Sequence, residues 1–156
     1  MTPRSPYRLH ASLGYQLSLA SRLQERRMDE GLRGIGLTRT TWCVLLAVGN
    51  EALTQPSEIA AFVGIDRTAT SRALRQMEEA GLIDRSVGCP EDGGGDKRTR
   101  TVALTPLGRQ RLAEGTPLAE ENARVLESRL EPAERDLLMR LLGKVRMGER
   151  VSLTRL

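Results

Sequence analysis

The chain has 156 residues, of which 39% are hydrophobic and 28% charged, with a formal net charge of +4; this fits one globular domain, or one domain with an appended dimerisation element. No apolar run approaches the ~18 residues needed to cross a bilayer, Met1 to His10 hold no apolar signal core, and Cys43 and Cys89 are too few for a disulfide framework, so a cytoplasmic protein with no membrane partner is expected. The single histidine, His10, leaves no Ser-His-Asp, Cys-His or zinc constellation, and Gly93-Gly94-Gly95-Asp96-Lys97-Arg98 lacks the Gly-Lys-Ser/Thr ending of a P-loop, so no catalytic residue, metal site or cofactor is expected and an enzyme is the least favoured class.

Residues 1–8 are polar with two prolines and read as a loose arm. From Leu9 to about Arg33 the pattern is helical, with Leu9, Leu13, Leu17 and Ala20 at three- and four-residue steps. Leu19, Leu23 and Met28 add a second stripe, more than one core face needs, which predicts burial against a second chain. Gly34 to Thr38 interrupts this helix. Thr38 is the expected cap of a second helix reaching about Gly49, with Trp42, Leu45, Leu46 and Val48 as its apolar face. A third helix starts near Pro56, holds Glu58 in its first turn and stops at Gly64.

Asp66 then caps a fourth helix after a turn of only Gly64-Ile65, and two helices joined this way form a helix-turn-helix. Thr70, Ala73, Leu74, Met77 and Ala80 make its inward face, and Gly81 is the stop. Thr68, Ser71, Arg72 and Arg75 fall on the opposite face at i, i+3, i+4 and i+7. Short hydroxyls and guanidinium groups there suit base edges and phosphates; an ordinary solvated face is the competing explanation. Leu82 to Val87 and Arg98 to Leu104 read as two strands around a turn-rich loop, Gly88 to Gly95, giving a winged form with Lys97 and Arg98 at the hairpin tip. Thr105 caps and Pro106 opens a long helix to about Leu130, with a bend expected near Gly115-Thr116-Pro117. Glu131-Pro132 starts the last helix, where Leu137, Leu138, Leu141, Leu142 and Val145 form a dense stripe.

Of 24 cationic residues only Lys97 and Lys144 are lysine. Coding bias is one explanation; the planar fork of arginine also matches phosphate and guanine. Between Lys97 and Arg111 five cations (Lys97, Arg98, Arg100, Arg109 and Arg111) occur with no acid, as expected beside a polyanion.

Four segments in order carry a resemblance: Asp66-Arg67-Thr68-Ala69-Thr70-Ser71-Arg72, Gly81-Leu82-Ile83-Asp84-Arg85, Asp96-Lys97-Arg98, and Leu104-Thr105-Pro106-Leu107-Gly108. Together, and with Leu37-Thr38 ahead of Trp42, they make the chain similar to the MarR family of bacterial transcription regulators. The resemblance implies a mainly α fold with a small β-hairpin wing. Residues 1–36 would form an arm and dimerisation helix, 37–104 a winged helix-turn-helix, and 105–156 the C-terminal dimerisation helices. It implies a homodimer that binds a pseudo-palindromic operator in double-stranded DNA, expected to act as a repressor. Thr68, Ser71 and Arg72 map to positions that face DNA, and Arg98 to the wing arginine at the minor groove. Asp96 maps to the acid that shapes the wing. Arg75 and Lys97 join this set from spacing and charge. The loop from Gly88 to Gly95 is longer than the usual wing, and its Glu91 and Asp92 would repel phosphate.

The resemblance also implies a pocket for a small aromatic or phenolic ligand between the dimer helices and the DNA-binding lobe. His10, Tyr15 and Trp42 are the candidate lining, although a core role is favoured for Trp42. Arg22 and Arg39 could meet a ligand carboxylate, against a default of solvated arginine. Cys43, beside Trp42, reads as inert packing. An oxidant sensor at Cys89 is a lesser alternative, since neighbouring acids oppose a thiolate. An architectural DNA-binding protein without an effector, and a helical interaction module with an incidental basic face, are the remaining alternatives.

Overall fold

The computed structural model describes residues 6–87 and 100–148. The first predicted helix is divided. Leu9–Ala11 form one 3-10 turn, Ser12 is extended, and α1 runs Leu13–Gly34. Gln16 Nε2 donates to the His10 carbonyl at 2.7 Å across this break.

The caps that start the next helices explain where they start. α2 (Arg39–Gly49) opens on Thr38, whose Oγ1 accepts from the Thr41 amide at 3.2 Å while the Thr41 hydroxyl accepts from the Thr38 amide at 2.9 Å. α3 (Pro56–Val63) ends on Gly64, which takes φ +77°, a left-handed value that costs glycine nothing. This lets the chain reverse within two residues. α4 (Arg67–Glu79) then starts on Asp66, whose Oδ1 accepts from the Ala69 amide at 2.7 Å.

β1 (Ile83–Val87) and β2 (Arg100–Leu104) pair antiparallel, with Ile83 opposite Leu104 and Val87 opposite Arg100. The Val102 amide also donates to the Thr54 carbonyl at 2.8 Å, tying the hairpin to the segment before α3. α5 (Pro106–Glu127) is capped by Thr105, which accepts from the Gly108 amide at 3.0 Å and donates to the Gly81 carbonyl at 2.6 Å. One side chain thus fixes both the start of α5 and its place against the hairpin. α5 ends three residues before the predicted boundary and is continuous through Pro117. α6 (Pro132–Val145) follows on its predicted start.

The core lies in the lobe formed by α2, α3, α4 and the hairpin. Leu45, Ile59, Leu74, Met77, Ile83 and Val102 are almost fully buried there. α1 and α5 pack together, and α2 bridges them to the lobe. Trp42 is buried against α5. A Cβ on Gly115 would lie 2.4 Å from its ring, so only glycine lets the helix approach so closely. α6 stands apart: none of its residues is buried, and Leu137, Leu138, Leu141 and Val145 are exposed. Among the described residues no helix is long and apolar enough to cross a membrane.

Candidate nucleic-acid interface

The sequence of α4 divides its two faces cleanly. Thr70, Ala73, Leu74 and Met77 are buried, and the Thr70 hydroxyl is satisfied by the Asp66 carbonyl at 2.8 Å. Ala80, expected to face inward, is exposed because it lies beyond the last helical turn, where the chain turns towards β1. Thr68, Ser71, Arg72 and Arg75 are all exposed, as their spacing predicted. They line one open groove of 570 Å³, joined by Arg67, Gln76 and Glu79. These last three were not anticipated, although Arg67 stands four residues before Ser71 on the same helical face.

Three guanidinium groups stand together along this face of α4. Among the described residues, Arg67, Arg72 and Arg75 make no ion pair. Elsewhere Arg39, Arg85, Arg111, Arg124 and Arg135 are tethered to carboxylates, whereas Arg22, Arg26, Arg33, Arg129 and Arg140 make no ion pair among the described residues. Arg85 binds the Glu78 carboxylate through Nε at 2.7 Å and through its Nη2, holding β1 against α4. Arg111, Arg124 and Arg135 each have a carboxylate within 3.3 Å. The groove therefore presents three uncommitted guanidinium groups beside two short hydroxyls. That set can take phosphate oxygens and reach base edges. Asp96, Lys97 and Arg98, the wing candidates, lie outside the described residues, as does Cys89.

A second concave site lies between α1, α2 and α5. It has a volume of 430 Å³, and Met28, Trp42, Cys43 and Leu126 supply much of its apolar wall. Arg39, at the start of α2, lines it while its Nε sits 2.7 Å from Asp29 and its Nη1 3.1 Å from Glu25, both on α1. Asn122 also lines it, is 4% exposed, and leaves its Oδ1 without a hydrogen-bond partner. Asn122 was not anticipated either, although a polar residue between Ala119 and Leu126 on one helical stripe was a visible irregularity. Burial pushes the Cys43 thiol up, with Arg39 pulling part of the way back. Of the three residues proposed to line a pocket, the chain brings only Trp42 to this cavity. His10 and Tyr15 instead stack edge-to-face on each other, with ring centroids 4.9 Å apart, at the start of α1. Among the described residues no group of three or more His, Cys, Asp or Glu side chains could hold a metal ion.

A helix-turn-helix followed by a paired hairpin, with a cationic outer face on its second helix, defines a winged-helix DNA-binding transcription regulator. Residues 35–98 match the MarR family model. A probable transcriptional regulator from Pseudomonas aeruginosa is 29% identical, with a TM-score of 0.75 over 88% of this chain and 99% of that one. A mutant MarR from E. coli, solved in complex with operator DNA, is 26% identical, with a TM-score of 0.73 over 85% and 92%. BpsR from Bordetella bronchiseptica, whose structure concerns regulation of DNA binding by 6-hydroxynicotinic acid, shares the fold at 24% identity, with a TM-score of 0.80 over 93% and 100%. The segment 35–98 is thus similar to the MarR family, and the chain shares the winged-helix fold of solved regulators of that family.

Proposed function

We propose that this chain is a homodimeric, sequence-specific repressor that binds a pseudo-palindromic operator in the cytoplasm and has no enzymatic activity. The observation that carries the reading is the α4 face, where Arg67, Arg72 and Arg75 stand unpaired beside Thr68 and Ser71. One such face makes few contacts. Two of them, held by a shared helical scaffold, engage half-sites about one helical turn apart. The exposed leucines of α6 and the exposed Leu13 and Leu23 of α1 are the surfaces that would join the two copies. Lys97 and Arg98 would contact the adjacent groove, with Asp96 shaping the wing.

The cavity beside Trp42 is the proposed effector site for a small aromatic or phenolic ligand. It lies where α2 of the lobe meets α1 and α5 of the scaffold, so a bound molecule there would alter the spacing of the two lobes. The likeness to BpsR, whose DNA binding is regulated by 6-hydroxynicotinic acid, supports regulation of this kind.

Selection of bound genomic fragments, followed by fluorescence anisotropy on the recovered sequence, tests the reading. A repressor dimer gives a two-fold related site, and its affinity falls steeply with salt as counterions are released. Binding that shows no sequence preference would point instead to an architectural protein.

A further inference from the structure

We propose that Arg39 is a positioning residue that sets which half-site spacing the dimer accepts. This rests on the dimeric operator-binding reading above and assigns one of its specificity determinants.

The lobe is attached to α5 and to α1 in different ways. α5 is seated by close backbone approaches: a Cβ on Gly108 would collide with the Leu82 carbonyl, and one on Gly115 with the Trp42 ring. Close-packed contacts of that kind leave little room for tilt. α1 contributes Met28 and Leu32 to the core that also holds Leu37 and Trp42. Burial of this kind is non-directional. The connection from α1 to α2 is only Ile35 to Thr38, with Gly36 at φ +75°. It is a pivot, and apolar contacts alone do not fix its angle.

Arg39 braces that pivot. Its Nε donates to Asp29 Oδ1 at 2.7 Å, and its Nη1 lies 3.1 Å from Glu25 Oε1. Glu25 and Asp29 stand one turn apart on α1, so a planar fork spanning both fixes the direction of α2 as well as its distance. The Ser21 hydroxyl donates to Glu25 Oε1 at 2.7 Å and holds that carboxylate in turn. The Arg39 side chain is 22% exposed, so water and salt weaken the brace less than they weaken a surface pair. The other ion pairs of the described residues lie elsewhere, that of Arg85 within the lobe and those of Arg111, Arg124 and Arg135 within α5 and α6. α2 and α4 share the core of the lobe, where Val44, Leu45, Leu74 and Met77 are almost fully buried. A change of direction at Arg39 is therefore carried to Thr68, Ser71 and Arg72. One base pair displaces a half-site by about 3.4 Å along the duplex and about 35° around it. Braced lobes reject that displacement, and unbraced lobes follow it.

The test uses the two-fold site recovered by genomic selection, in duplexes with its natural half-site spacing and with one base pair more or less. The parent protein should favour the natural spacing. Arg39→Met, and separately Glu25→Gln with Asp29→Asn, should each reduce that preference by at least about fivefold, with a folded dimer retained in thermal unfolding and sedimentation. The first variant removes a positive charge and the second removes two negative ones, so bulk charge moves their overall affinities in opposite directions. A preference lost in both reports the brace. Arg39→Lys keeps the charge without the fork and should fall between the parent and Arg39→Met. Should Arg39→Met prove unfolded or monomeric, Arg39→Lys and the double variant carry the test. A preference that survives in either folded variant overturns the inference and leaves the dimeric reading standing. A selected site without two-fold relation, or a parent that binds all three spacings alike, overturns both.

Discussion

α4 and α6 are both amphipathic helices of similar length, 13 and 14 residues, yet they end in opposite states. The apolar stripe of α4 is consumed by the core of its own chain: Leu74 and Met77 are each 1% exposed. The stripe of α6 is denser, but Leu137 and Leu141 are each 46% exposed and nothing among the described residues covers them. The contrast teaches that periodicity specifies a buried face without specifying what buries it. α4 has its partners within a few turns of sequence, because Gly64 and Gly81 fold α3 and β1 back against it. α6 follows a long α5 that carries it away from the lobe, and its stripe is the surface we propose a second copy covers.

The largest expected effect breaks this contrast from the side of α6. Replacing Leu138 and Leu142 together by alanine removes four leucines from a dimer, at roughly 1.5–3 kcal/mol each. Sedimentation should then show monomers at micromolar concentration; an unchanged dimer would take α6 out of the interface. Next is Leu74→Ala, which should cost about 2–5 kcal/mol of folding stability through the cavity it leaves. Its effect on thermal unfolding should persist equally at every protein concentration, whereas the effect of the α6 pair should grow on dilution.

Smaller effects sharpen the polar side of α4. Arg72→Ala, and separately Arg98→Ala, should each weaken operator binding by about 1–3 kcal/mol and leave the proposed dimer intact. If anisotropy gives parental affinity for either variant, that residue does not contact DNA. The smallest change is at the scaffold junction. Asn122→Leu removes a buried oxygen with no partner and should raise stability by about 1 kcal/mol, seen as a higher melting temperature.

Much of the lobe was legible in the sequence because its signals are local. Thr38, Asp66 and Thr105 each cap the helix they were expected to cap, and Pro56, Pro106 and Pro132 each occupy a first helical turn. The exposed face of α4 followed from helical spacing, although Arg67, Gln76 and Glu79 became part of it only when the groove was formed. The first helix was misjudged at its start because Leu9 and Leu13 share a stripe across the extended Ser12. The cavity was harder to read. Its walls come from α1, α2 and α5, separated by up to about a hundred residues in sequence, and His10 and Tyr15 found each other instead of Trp42.

The order of helices and strands, their caps and the polar side of α4 were determined by the amino-acid sequence, since each depends on residues three or four positions apart. Only the tertiary structure decided that Arg39 is claimed by Asp29 and Glu25, that Asn122 is sealed without a partner, and that α6 is left uncovered by the described residues. Those outcomes depend on which distant surfaces meet, and hydrophobic burial, being non-directional, does not encode the meeting in any one segment.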